Sequence, residues 1–507
     1  MKRFVQFLAI VGGICILAGV VLLVVSPELT LIRRALEALG SYSYTAPTIL
    51  KDLKFSLIVA GLLLLATGLI FFLADRRLEK ASAKSRQRSL MLIIGIQVLI
   101  ATVYVAILPY RPNPGDDSWY YYQANNLATG APIIWNHALS SPQNGEPTAY
   151  WPIGYPVVLS IFFRVFGSHF WAGQVLNIIL LAGSATIGYF LARDLLGLRA
   201  ATQAALVVAF IPSLLLISLA LLSDLLFTFL FLLLLFLSNR KRTAPMLLLM
   251  GVVYGLAVLT RPVAFFLPIL LSIYWFLKDR QLKNSLVHLV VVMIVGELVL
   301  LPWQIHNYRA FGQFVAFSNN GGHNFWMGNN PYTPCHGPQY SFIAGEDTLE
   351  MMQSLNEAQR YQLTFKIGLQ YALSHPLRTV LVWPQKLYFL YFKDSQAITW
   401  AVQNCTDKFP PSVLGGLYFF TDGFYYSLGL AFLLSLVGMW RREGFSPRVF
   451  LVVGLVLYFS LIFLPFITEC RYHLPLLPIL AIFAVHKPDA ATMNTAGENP
   501  PTDGATP

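Results

Sequence analysis

Apolar runs of bilayer-crossing length recur from one end of this chain to the other. Phe4–Val25, Phe55–Ala74, Leu219–Leu237 and Leu286–Pro302 each approach the ~20 residues that a hydrocarbon core demands. A single large soluble core does not account for them, because a soluble domain carries about 25% charged residues. Here 12% are charged and 56% hydrophobic. The expected fold class is therefore an all-α polytopic integral membrane protein. The formal charge of +11 would suit a nucleic-acid partner if the basic residues formed a stripe. They sit instead in short loops between apolar runs, which is the positive-inside pattern. A lipid bilayer is the expected partner, and no nucleic acid.

The basic loop Asp75–Ser89 anchors the topology on the cytoplasmic side. Met1-Lys2-Arg3 ahead of Phe4–Val25 reads as a retained helix, since the run exceeds the ~7–15 residues of a signal peptide and no small-x-small site follows. Ser26–Lys54 is read as a polar, partly helical connection on the far side. From Leu90–Tyr110 onward the helices alternate. Phe170–Ala192, Ala200–Ser218, Leu219–Ser238, Pro245–Thr260, Pro262–Leu277, Leu286–Pro302, Leu414–Trp440, Val449–Ile467 and Tyr472–Val485 are read as spans. Tyr155–Gly167 and Leu377–Phe392 are read as interfacial segments, the first because it is short and amphipathic. Counting the second as a span would put Arg441 and Arg442 outside. The total is about twelve spans with both termini inside. Residues 1–89 form a two-helix extension, 90–486 the membrane core with outer loops 111–169 and 303–412, and 487–507 a polar tail expected to be disordered.

The stretch Arg111–Gly154 is the first long polar interruption after three apolar segments, and it carries adjacent carboxylates, Asp116 and Asp117. Such a pair beside a hydrocarbon core is costly unless it meets water, a metal or a reacting group. Its plainer role would be to cap the helix beginning near Ser118, which needs only one carboxylate. Asp224, flanked by leucines, sits at another outer turn, either as a functional acid or as a polar turn residue. Arg261, before Pro262, offers a planar fork suited to phosphate, or snorkels to headgroups. His306–Pro331 is dense in asparagine, glycine and aromatic residues, a mixture that suits sugar rings with their apolar faces and hydroxyl rims. Its candidates are Asn307, Arg309, Asn324, Trp326 and Asn329. Glu469-Cys470-Arg471-Tyr472 opens the last span, with Arg471 free to pair with Glu469 or to meet a phosphate. All of these fall on the extracytoplasmic side. Cys335, Cys405 and Cys470 fall there too, as free thiols or as two partners of a disulfide.

With these pieces in order, the chain resembles the GT-C membrane glycosyltransferases, in particular the family 39-like group of protein O-mannosyltransferases and aminoarabinose transferases. GDDSWYYYQANNLATG is similar to the acidic motif of the first outer loop, aligned through Tyr120, Ala124, Leu127 and Gly130. Asp116 takes the place of the principal aspartate, and Asp117 the position usually held by glutamate. WPIGYPVVLSIFFRVFG, LLSDLLF, LTRP, NYRAFGQFVAFSNNGGHNFWMGNNP and RYHLPLLPIL resemble later motifs. The resemblance covers roughly Leu90–Val485. It implies a GT-C fold, an undecaprenyl- or dolichyl-phosphate sugar donor, transfer at the outer face of the plasma or inner membrane, and inversion at the anomeric carbon. Neither the sugar nor the acceptor, whether protein, lipid or glycan, is implied.

The chemistry expected is direct displacement. Asp116 takes the acceptor proton, and Arg261 and Arg471 hold the departing phosphate. Asp117 and Asp224 could orient the acceptor, hold a divalent cation or tune Asp116, with Tyr120 and Tyr472 beside them on substrate. The rival is a transporter or flippase of lipid-linked saccharides, which would distribute polar groups through its spans. Here they gather at the outer ends, with Glu297 the main exception.

Overall fold

The computed structural model describes residues 2–25, 55–63, 65–66, 83–108, 115–135, 145–333, 351–352, 354–402 and 409–485. The expectations for Ser26–Lys54, most of the spacer within Arg111–Gly154, Cys335, Cys405 and the tail after Val485 lie outside these residues. So does the basic loop up to residue 82; its remainder opens the helix Ala83–Ile107.

The described chain is predominantly helical, and the protein is a multi-pass membrane protein. Five helices are long and apolar enough to cross a bilayer by length and composition: Lys84–Ile107, Phe170–Leu196, Pro262–Asp279, Leu282–Phe311 and Pro411–Glu443. Shorter apolar helices complete the bundle, among them Asp224–Ser238, Ala244–Thr260 and Pro447–Phe463. The large exposed side chains on the lipid-facing helices are mostly Leu, Ile and Val, as lipid requires. Leu92, Leu99, Ile294 and Leu298 are examples.

One end of the bundle collects basic residues into ion pairs between helix ends. Arg240 meets Asp194 at 2.8 Å, Arg242 meets Asp279, and Arg448 meets Glu443 at 2.8 Å while donating to the Leu195 carbonyl. The opposite end carries the acidic and amide-rich loops.

Two boundaries differ from the sequence reading, each for a physical reason. The turn taken as a tight hairpin at Ser218–Leu219 is a longer unwound stretch. Helices Leu198–Ala209 and Pro212–Ile217 are broken before Pro212, and the next helix starts only at Asp224. Residues 219–222 between them are at most 2% exposed. Non-helical backbone at this depth is tolerated only if its polar groups find partners. They do: Asn177 donates to the carbonyls of Ser218 and Ala220 at 3.1 and 2.8 Å, and Gln174 donates to Leu219 at 3.1 Å. The second difference is at Pro302. The helix Leu282–Phe311 continues through it for nine more residues and ends on Gly312, whose φ of +65° terminates the helix in the left-handed region.

The two segments read as interfacial form short helices. Gly154–Phe166 is 13 residues long, burying Tyr155, Leu159 and Phe163 against the protein while Ile161 and Val165 face outward. Leu377–Phe392 is split into Pro376–Leu381 and Trp383–Tyr391, each too short to cross. The N-terminal extension packs on the long helix Pro411–Glu443. Phe55 lies 4.9 Å from Phe419, and a Cβ on Gly423 would sit 2.6 Å from Val59.

Candidate active site

The first outer helix begins at Asp116, not at Ser118, and runs Asp116–Thr129. Consecutive helical residues point about 100° apart, so its two carboxylates part company. Asp117 is fully buried and accepts the Ser118 N–H at 2.9 Å within the first turn; the N-cap residue is Gly115, with no side-chain cap, so the capping role considered for the pair is not the one it takes. Asp116 faces a cavity.

The unwound stretch delivers Ser223 and Asp224 to the same cavity wall. Asp224 lies beneath the surface at 1% exposure, and Arg261 covers it with Nη2 at 2.7 Å from Oδ1. Arg261 Nε also donates to Ser223 Oγ at 3.3 Å, and the Tyr120 hydroxyl donates to the same oxygen at 3.2 Å. Burial pushes the Tyr120 phenol up, with Asp116 adding to it, so this hydroxyl stays protonated. Close helix approach sets Arg261 in place: a Cβ on Gly154 would lie 2.6 Å from Thr260 Oγ1.

Arg471 reaches the site from the short 3-10 helix Cys470–Leu476. Its Nη2 meets Asp116 Oδ2 at 2.7 Å, and its guanidinium lies 4.3 Å from the centre of the Trp400 ring. Its pairing with Glu469, one of the two readings open in the sequence, gives way to this bond. Gln396 ties the segment down, accepting the Arg471 N–H at 3.0 Å and donating to Glu469 at 3.4 Å. Behind it, Asp422 accepts the N–H groups of Asp394 and Ser395, both at 2.8 Å, and the Ser395 hydroxyl at 2.9 Å. Arg471 is 7% exposed, and its Nε and Nη1 have no partner among the described residues. Two buried cationic donors left unsatisfied beside a carboxylate mark a place for an anion. Burial pushes the Glu469 carboxyl up, and Arg471 opposes that.

The cavity has a volume of about 1130 Å³. One wall, contiguous with Arg261 and Tyr472, is apolar: Phe265, Phe266, Phe463 and Phe466. The other is aromatic and polar, with Trp135, Tyr150 and Trp151 beside Asn320, Asn324 and Arg360. A buried carboxylate holds this second wall. Glu357 accepts the Thr148 hydroxyl at 2.8 Å, the Ala149 N–H at 2.7 Å and the Asn319 amide at 2.9 Å. Burial pushes Glu357 up while these three donors pull it down. His323, buried in the same wall, is pushed down to about 3 and stays neutral.

Of the residues singled out in the sequence, Asp116, Tyr120, Arg261, Asn324, Arg471 and Tyr472 line the cavity. Asp224 stands directly behind Arg261. Of the others, Asn307, Trp326 and Asn329 have structural employment. Asn329 donates to the carbonyls of Phe325 and Pro465 at 2.8 and 2.7 Å, and Asn307 donates to Val315 at 3.4 Å. Trp326 is buried against Met352, and Arg309 is exposed. The residues present do not fit a metal site: Asp116 is bound by Arg471, Asp117 points away, and among the described residues no three His, Cys, Asp or Glu side chains gather. Cys470 is a buried free thiol. Glu357, His323, Trp135, Trp151 and Trp400 were not singled out. None belongs to a motif with a recognisable spacing, and only the fold brings each to the cavity.

The sequence profile of the dolichyl-phosphate-mannose-protein mannosyltransferase family matches residues 151–306. The resemblance to GT-C glycosyltransferases carried by the quoted motifs holds for that stretch. No curated protein matches the chain in sequence. Among solved structures, the apo oligosaccharyltransferase of Archaeoglobus fulgidus aligns over 78% of this chain and 50% of its own, at 15% identity and a TM-score of 0.46. ArnT of Cupriavidus metallidurans, bound to undecaprenyl phosphate, aligns over 78% and 76% at 13% identity and a TM-score of 0.40. The chain spans about half the length of the oligosaccharyltransferase.

Proposed function

We propose that this protein is a membrane glycosyltransferase that moves a sugar from an isoprenoid phosphate to an acceptor hydroxyl at the extracytoplasmic face of the plasma or inner membrane. The observation that carries the reading is the Arg471 guanidinium, buried in the cavity with two unspent donors and its third nitrogen on Asp116. The family profile over residues 151–306 supports it.

The acceptor oxygen attacks the anomeric carbon, and the bond from that carbon to the phosphate oxygen breaks with its electron pair passing to the phosphate. The acceptor proton goes to Asp116. Attack opposite the leaving group inverts the anomeric centre. The donor phosphate diester carries one negative charge and the departing monoester two, so positive groups fixed at the phosphate favour the transition state over the ground state. Arg471 supplies Nε and Nη1 for this, and Arg261 stands beside it, held by Asp224. A phosphate leaves without protonation, so one base is enough. The apolar wall of Phe265, Phe266, Phe463 and Phe466 takes the isoprenoid chain next to the phosphate.

The test is transfer by purified protein from radiolabelled polyprenyl-phosphate sugars, together with mass spectrometry of lipid-linked sugars and surface glycans in a deletion strain. Loss of one glycan with accumulation of its lipid-linked sugar is expected. An unchanged glycan profile, with no transfer from any donor tried, would overturn the proposal.

A further inference from the structure

We infer that the aromatic shelf formed by Trp135, Tyr150 and Trp151 seats the sugar ring of the donor, an inference that rests on the glycosyl-transfer reading above. The rings of Trp135 and Trp151 are near parallel, 5.8 Å apart at 7°, and Tyr150 meets both edge-on at 5.6 and 4.4 Å. All three are partly exposed and line the cavity.

The shelf is built before any ligand arrives. Residues 133–135 and 145–148 pair as a short antiparallel ladder, with Trp135 N–H on the Glu146 carbonyl at 2.7 Å and Thr148 N–H on Ile133 at 3.3 Å. Asn319 and Asn320 add N–H bonds to the Ala149 and Tyr150 carbonyls at 2.8 and 3.0 Å. Glu357 locks the same segments from behind. A loop required only to cover a core does not need a buried carboxylate fixing its aromatic residues from three directions.

Position and chemistry identify the occupant. Trp151 packs on Trp119 at 5.4 Å, and Trp119 is one helical turn from Asp116. A ring whose anomeric carbon lies beside Asp116 and Arg471 therefore extends over this shelf. Nearby, Arg471 covers Trp400, and Tyr472 stacks on Phe463 at 4.9 Å in the apolar wall. A monosaccharide presents an apolar C–H face to aromatic rings and a rim of hydroxyls to amides and charges. The rim groups here are Asn320, Asn324, Arg360 and Glu146. The Asn324 side-chain amide has no hydrogen bond among the described residues. An isoprenoid chain would leave the Asn324 amide unpaired, whereas a sugar hydroxyl satisfies it.

The experiment compares two ligands on full-length protein in nanodiscs: undecaprenyl phosphate, and undecaprenyl phosphate carrying glucose, mannose, galactose or arabinose. Wild type should bind at least one charged lipid more tightly than the bare one. Trp151→Leu and Trp135→Leu should each shrink that preference on the order of tenfold, with affinity for the bare lipid unchanged, and Trp151→Phe should shrink it less. A preference untouched by both leucine variants overturns the proposal, even if their turnover falls, because the shelf would then serve the acceptor. Equal affinity of wild type for bare and charged lipids overturns it as well. If wild type binds no lipid phosphate at all, the glycosyl-transfer reading has failed and the shelf assignment falls with it. Should the variants not fold, wild type with a donor bearing a diazirine on its sugar decides. Crosslinks at Trp135 or within residues 145–151 support the shelf, and crosslinks confined elsewhere refute it.

Discussion

Asn177 tests how the broken helix before Asp224 is held. Its amide donates to the carbonyls of Ser218 and Ala220, and its oxygen accepts the Tyr155 hydroxyl at 3.1 Å. Asn177 is fully buried. Asn177→Leu keeps the volume close but removes all three bonds, leaving the Ser218 carbonyl and the Tyr155 hydroxyl without this partner and the Ala220 carbonyl with the Leu222 N–H alone. At about 1 kcal/mol per hydrogen bond the loss is about 3 kcal/mol. Hydrogen bonds inside membranes average about 0.6 kcal/mol each, which sets a floor of about 2 kcal/mol. Tyr155→Phe removes one donor and leaves Asn177 on its carbonyls, so it should cost about 1 kcal/mol. Reversible unfolding by SDS titration in mixed micelles measures both. The same backbone carries Ser223 and Asp224 beneath Arg261, so Asn177→Leu should also weaken donor binding, and Tyr155→Phe much less. If Asn177→Leu unfolds within about 0.5 kcal/mol of wild type and binds donor normally, the unwound stretch does not depend on these bonds and the reasoning is wrong.

Asp116→Asn keeps an oxygen for Arg471 but cannot take a proton, so transfer should fall by ~10²–10⁴ with the fold retained; near-normal turnover beside an inactive Asp117→Asn would move the base to Asp117. Arg261→Ala should weaken donor binding and destabilise the protein, because Asp224 is left buried without its counter-charge. Arg261→Lys should restore only part of the binding, since lysine lacks the fork, and donor affinity equal to wild type in the alanine variant would sink the clamp. Burial depresses His323 from 6.5 to about 3, so the unfolded chain takes up a proton that the folded one refuses. Its contribution to stability is complete above pH 6.5 and is lost as pH falls towards about 3; a His323→Phe variant should show a flatter acid profile, and an unchanged profile would count against the buried neutral imidazole. Thr129→Cys should react with a membrane-impermeant thiol reagent in intact cells and Arg280→Cys should not, and the reverse pattern would invert the orientation.

Much of the scaffold was legible because lipid imposes long apolar helices and charge fixes their direction. The break at Ser218–Ser223 was not, since its sequence is as apolar as a helix. Its cause lies in Asn177 and Gln174, about forty residues away. Asp116 and Arg471 were visible as motif residues, but their contact depends on how the first outer helix and the last span pack. The choice between Asp116 and Asp117 turns on which residue begins the helix, and two identical side chains carry no phase. The loop His306–Pro331 was read as a sugar surface because amides and aromatics suit sugars. They suit loop construction equally well, and Asn307, Trp326 and Asn329 are spent that way.

The bond between Asp116 and Arg471 joins residues 355 apart in the chain, and the bond between Thr148 and Glu357 joins residues 209 apart. During synthesis most of the spans emerge before either partner is present, and domains assemble from the N-terminal side. Until Glu357 has emerged, residues 145–150 lack the carboxylate that fixes them, and until residue 471 has emerged Asp116 has no counter-charge. Membrane insertion and assembly of the pocket are thereby separated in time. A chain released before its last helix would be an inserted bundle in which the pocket around Asp116 is never completed. A truncation ending at Ser460 should insert and fail to bind donor, and donor binding by that fragment would refute the dependence.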